Sequence, residues 1–62
     1  MDAKEVTLNE ARAIIDSGDQ RGLFYYVNAN GAFVGVDTRG IKPVVRVCGK
    51  KKWLEKWMKE RV

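Results

Sequence analysis

The stretch Leu23-Phe24-Tyr25-Tyr26-Val27-Asn28-Ala29-Asn30-Gly31-Ala32-Phe33-Val34-Gly35-Val36 decides how this chain folds. Two β-prone runs flank Asn30-Gly31, the dipeptide that best tolerates the two positive φ angles of a type I′ turn, so the stretch reads as a β-hairpin. Strand side chains alternate between faces. With Asn30-Gly31 as a two-residue loop, Val27 faces Val34 and Tyr25 faces Val36. One face then carries Leu23, Tyr25, Val27, Val34 and Val36, and the other Phe24, Tyr26, Asn28, Phe33, Gly35 and Asp37. A three-residue loop, Ala29-Asn30-Gly31 with a bulge at the glycine, slips the register by one and gathers Phe24, Tyr26, Val34 and Val36 instead. In either register one face keeps apolar groups that need a second layer, a partner or partial exposure.

Upstream of the hairpin, Thr7-Leu8-Asn9-Glu10 has the spacing of a capping box, in which the Thr hydroxyl and the Glu carboxylate each accept from the other's backbone N–H. Behind it Leu8, Ala11, Ile14 and Ile15 recur on one helical face, and Gly18 stands where a left-handed terminating residue belongs. The expected helix spans residues 8–17, and core packing accounts for its apolar face. Downstream, Asp37-Thr38-Arg39-Gly40-Ile41-Lys42-Pro43 reads as a loop, since Pro43 biases Lys42 toward extended geometry. Val44-Val45-Arg46-Val47-Cys48 is rich in β-branched residues and predicts a third strand, antiparallel to its neighbour because the connection is short. After Gly49 a last helix is expected over residues 50–61, with Trp53, Leu54, Trp57 and Met58 as its apolar stripe. The expected architecture is therefore α+β, with the order αβββα. A three-stranded antiparallel meander offers one face to both helices in a two-layer domain covering residues 1–62.

At 62 residues the chain is short enough for one domain, and its 45% hydrophobic and 32% charged content fits a globular protein. One cysteine and no histidine exclude an internal disulfide framework, a Cys-based zinc finger, and Ser-His or Cys-His dyads. The glycines lack the strand-to-helix placement of a phosphate-binding loop, and the carboxylates are scattered. No enzymatic activity, cofactor or metal is expected. Met1-Asp2-Ala3-Lys4-Glu5 is polar with no apolar signal region behind it, and no run reaches the length of a membrane span, which points to a cytoplasmic protein without a membrane partner.

Charge is unevenly distributed. Residues 1–38 carry three basic and six acidic side chains, a net of −3, whereas residues 39–62 carry nine basic and two acidic ones, a net of +7. Such asymmetry suits a surface that meets an anionic partner, although solvated charge alone produces it too. Lys50-Lys51-Lys52 is its sharpest feature, because it stands at a helix start, where the dipole already favours anions. Helix stability does not explain three lysines there. Cys48, beside Arg46 and Lys50, reads either as a thiol activated by cations or, more simply, as a small apolar strand residue. Phe24, Tyr26 and Phe33 on one sheet face have the chemistry of a base-stacking platform, or of a face buried in a homodimer.

The run Thr7-Leu8-Asn9-Glu10-Ala11 through Ile14-Ile15-Asp16-Ser17-Gly18, followed by Gly22-Leu23-Phe24-Tyr25-Tyr26, resembles small uncharacterised proteins carried by bacteriophages and integrative elements of Gram-positive bacteria. The resemblance covers about half the chain. It implies an accessory role in a mobile element and transfers no activity or functional residue.

Two functions are therefore expected to compete. The first is a non-enzymatic nucleic-acid-binding accessory protein that holds phosphates with Arg46, Lys50, Lys51, Lys52 and Lys56. The second is a protein–protein interaction module, a homodimer or a phage-type inhibitor of a host protein, using Phe24, Tyr26 and Phe33.

Overall fold

A computed structural model describes residues 3–61. The elements run β1 (Lys4–Glu5), α1 (Leu8–Ser17), β2 (Leu23–Val27), β3 (Phe33–Asp37), β4 (Val44–Gly49) and α2 (Lys51–Arg61). The class is α+β, as expected, but the sheet is mixed and four-stranded in the order β1-β2-β3-β4. The additional strand, β1, runs parallel to β2, pairing Lys4 with Phe24 and Glu5 with Tyr25. It is two residues long and charged, so no alternation of apolar residues announces it.

Helix α1 forms where its local signals place it. Thr7 Oγ1 accepts from the Glu10 N–H at 3.1 Å, and Glu10 Oε1 accepts from the Thr7 N–H at 3.0 Å. The backbone hydrogen bond from Thr7, followed by that from its side chain, holds the Glu10 carboxyl below its ordinary pKa. Gly18 ends the helix in the left-handed region, at φ 68°.

The hairpin takes the slipped register. Val27 pairs with Phe33, Tyr26 with Val34 and Phe24 with Val36, and Asn28 N–H donates to the Ala32 carbonyl at 2.9 Å. The Gly31 N–H donates to the Asn28 carbonyl at 2.9 Å, closing a turn over Ala29-Asn30 before Gly31 adopts φ 81°. Asn28 Oδ1 decides between the two loops. It accepts from the N–H groups of both Asn30 and Ala32, at 2.9 and 3.0 Å, which supports the longer loop from inside.

This register divides the large side chains between the two faces, and each face takes one helix. Phe24 and Val36 pack with Val6, Ala11 and Ile14 under α1, with Tyr26 beside them. Leu23 packs with Leu54 and Trp57 under α2, with Tyr25, Phe33, Cys48 and Met58 around them. Leu23 and Phe24 are adjacent in one strand and point to opposite faces, so α1 and α2 lie on opposite sides of the sheet. The two-layer arrangement, with both helices on one face, is thereby corrected. So is the aromatic platform: Phe24 and Tyr26 share one face while Phe33 points to the other, and Phe24 is only 6% exposed. A one-residue slip exchanges faces for everything on one side of the turn, which is why the platform dissolves.

Two contacts anchor α2. The Trp57 indole lies flat on β3 at Gly35, where a Cβ would come within 2.7 Å of the ring. At the end of β3, the buried Asp37 accepts from Arg39 Nε at 3.2 Å and from Arg61 Nη1 at 3.1 Å, tying the strand to the last turn of the helix. Arg39 Nη2 also donates to the Arg61 carbonyl at 2.6 Å. Burial acts to raise the Asp37 pKa. Hydrogen bonds from the Arg39 side chain and backbone, and from Arg61, outweigh it and hold the carboxyl below its ordinary value. Beside it the buried Thr38 hydroxyl donates to the Gln20 carbonyl at 2.7 Å and accepts from the Gly22 N–H at 3.0 Å, closing the entrance of β2 onto the exit of β3.

Two consequences are measurable. Gly35→Ala should destabilise the domain by about 1–3 kcal/mol in denaturant titrations, because the indole has no room to retreat without lifting α2. The depressed Asp37 pKa gives stability that is complete above the unfolded carboxylate value and is lost as pH falls through the lower, folded one. The difference in unfolding free energy between the wild type and Asp37→Asn should therefore be constant near neutrality and shrink below about pH 4.

Candidate nucleic-acid interface

Helix α2 crosses its sheet face so that one of its stripes looks toward β4. Trp53, Lys56, Trp57 and Glu60 recur at i, i+3, i+4 and i+7, the spacing of a single helical face. Together with Arg46, Val47 and Cys48 of β4 they enclose an open groove of about 350 Å³. The strand wall is irregular. Phe33 pairs with Gly49 and Val34 with Val47, which leaves Cys48 as the extra residue of a bulge. The Cys48 thiol contacts the Arg46 carbonyl at 3.7 Å and packs with the apolar cluster beneath α2.

The two tryptophans of the groove differ in role. Trp57 is its floor, buried against Gly35, with the Arg61 guanidinium 5.4 Å from the ring centroid. Its Nε1–H has no acceptor among the described residues. Trp53, expected in the apolar stripe, is 48% exposed instead. It sits roughly a quarter turn from the centre of the buried stripe, so its ring lies at the rim of the helix footprint. Lys52 Nζ and Lys56 Nζ approach that ring to 5.2 and 5.5 Å from its centroid, within cation–π range.

The structure brings Arg46 and Lys56 together across the groove and adds Lys52 through the Trp53 ring. Lys50 and Lys51 lie outside the groove, at the start of α2. The Lys50 carbonyl accepts from the N–H groups of Trp53 and Leu54, at 3.0 and 3.2 Å, so the helix begins one residue after the expected position. No acidic residue stands in its first turn, and all three lysines are exposed. Phe24, Tyr26 and Phe33 contribute nothing to this surface. Phe24 is buried under α1 with Tyr26 partly buried beside it, and Phe33 is partly buried against the cluster under α2.

Sequence reasoning missed Trp53 and Glu60 as members of this surface. The signal for Trp53 was present: a tryptophan flanked by Lys52 and Lys56 and displaced from Leu54-Trp57-Met58. Comparison with family models, with curated proteins and with solved structures finds no match, so the functional reading rests on the residues themselves. Among the described residues, no helix is long and apolar enough to cross a membrane.

The division of labour between the tryptophans predicts opposite mutational outcomes. Trp57→Ala should cost about 3–5 kcal/mol, as removal of a buried aromatic does, while Trp53→Ala should change stability by less than about 1 kcal/mol. Chemical denaturation of the two variants, followed by circular dichroism, measures both.

Proposed function

We propose that this chain is a non-enzymatic nucleic-acid-binding protein that takes single strands on the α2–β4 surface. Arg46, Lys50, Lys51, Lys52 and Lys56 hold phosphates, and Trp53 stacks on a base. The observation that carries this is the half-exposed Trp53 ring with two ammonium groups within 5.5 Å of its centroid, on the segment, residues 39–62, that bears a net charge of +7. An exposed indole beside cations suits unstacked bases, whose π-faces duplexes keep covered. Lysines at the positive end of a helix oppose the dipole when free and gain from it when a phosphate binds. The cytoplasm and an accessory role in a mobile element, as the sequence resemblance implies, belong to the same proposal.

A second reading, a protein–protein interaction module, is favoured by a different surface from the aromatic one. Strand β4 is an uncovered sheet edge, and Val45 and Val47 on it are 47% and 65% exposed on the side opposite α2. Such an edge accepts a further strand.

Binding of fluorescently labelled oligonucleotides at several salt concentrations tests the first reading. The wild type should bind single strands at low salt and weaken as salt rises. Changing Lys50, Lys51 and Lys52 together to Gln should make the logarithmic salt slope shallower by roughly 0.7 for each phosphate no longer held. A folded wild type that binds no nucleic acid at low salt would reject the proposal. Concentration-dependent self-association, abolished in Val47→Lys, would favour the module.

A further inference from the structure

We infer that the groove is a base-reading pocket, with Glu60 as the acceptor that selects guanine in a single strand; this rests on the nucleic-acid reading above. Helix stability does not favour Glu60 where it stands. It stands in the last turn of α2, where the dipole disfavours a carboxylate. It follows Lys56 by four residues, the weaker order for a helical ion pair. Among the described residues, Asp37 alone accepts a salt bridge, so neither Lys56 nor Arg46 forms an ion pair with Glu60. In a surface that holds phosphates, a carboxylate repels the ligand unless it meets a hydrogen-bond donor.

Bases supply such donors. Guanine alone presents two adjacent ones on its Watson–Crick edge, N1–H and the N2 amine, which match the two oxygens of a carboxylate. Uracil and thymine present one ring N–H between two carbonyls, and cytosine and adenine one amine beside an acceptor nitrogen. The geometry suits a purine. Trp53 and Glu60 are two helical turns apart, about 10 Å along the axis, a span that a purine stacked on the indole and the Glu side chain bridge together. The groove's volume of about 350 Å³ is sufficient for one base with its sugar. Arg46 and Lys56, on the two walls, are placed for the phosphates on either side of that base.

The experiment compares tetranucleotides that differ at one position, TTGT, TTIT (inosine, which lacks the N2 amine) and TTTT, by quenching of tryptophan fluorescence at low salt. The expected order is guanine over inosine over thymine, with guanine favoured over thymine roughly tenfold, as a two-bond base contact provides. Glu60→Gln and Glu60→Ala should abolish the preference and leave binding of TTTT as tight as before or tighter, since a repulsive charge is gone. Circular dichroism serves as the folding control. Equal affinity of the wild type for all three would overturn the inference and leave the phosphate-binding reading standing. So would a guanine preference that survives in both variants. Absence of binding to any of the three would overturn both.

Discussion

The contact between Trp57 and Gly35 is the constraint on which the rest of this small domain depends. A flat indole can lie directly on a strand only where the strand has no side chain, and β3, paired on both sides, provides that place at its midpoint. With the ring seated, Leu54 meets Leu23 in the same apolar cluster. The axis and rotation of α2 are then set. Arg61 arrives over the indole and beside Asp37, and Trp53, one turn earlier than Trp57, is left at the edge of the footprint. The buried tryptophan thus determines that the other one is presented.

A second constraint acts through the turn. Asn28 anchors the longer hairpin loop with its side chain, and the resulting register sends Phe24, Tyr26, Val34 and Val36 to one face and Leu23, Tyr25 and Phe33 to the other. Neither face is polar enough to be left to water, so a helix is required on each. A chain of this length has only two helices among its described residues, and it uses one per face. The outer strand β4 is covered only on the α2 side, which is why Val45 and Val47 stay exposed while their cross-strand partners Val36 and Val34 are buried. The cost of so small a core is offset by polar ties at its margins, through Asp37 with its two arginines and Thr38 with two backbone groups.

Charge on α2 departs from what helix stability favours at both of its ends. Lysines occupy the positive end and Glu60 the negative end, while Lys59 and Arg61 in the last turn follow the dipole. Arg61 is occupied by Asp37, so its charge serves the fold. The groups charged against the dipole make no ion pair among the described residues, and one of them, Lys52, joins Lys56 over the exposed Trp53 indole. The proposed ligand site rests on that combination.

Interactions that close within a few residues were legible in the chain itself. The capping box at Thr7 and Glu10, the left-handed Gly18, the positive φ of Gly31, the β-branched run before Cys48 and the two helices all appear within a residue of where their local chemistry places them. The concentration of positive charge after residue 38 is equally a property of the chain alone. The tertiary structure decided the rest. Gly31 needs a positive φ in either hairpin loop, so the dipeptide leaves the register open until the Asn28 side chain and the packing of both faces select one. Strand β1 exists only because β2 is beside it. Gly35 has no meaning until an indole lies on it, and Trp53 and Trp57 share a sequence pattern but not a fate, because exposure depends on how a helix is rotated against a sheet. The groove joins residues from Arg46 to Glu60 across two elements, and their proximity follows from packing that no stretch of local sequence encodes.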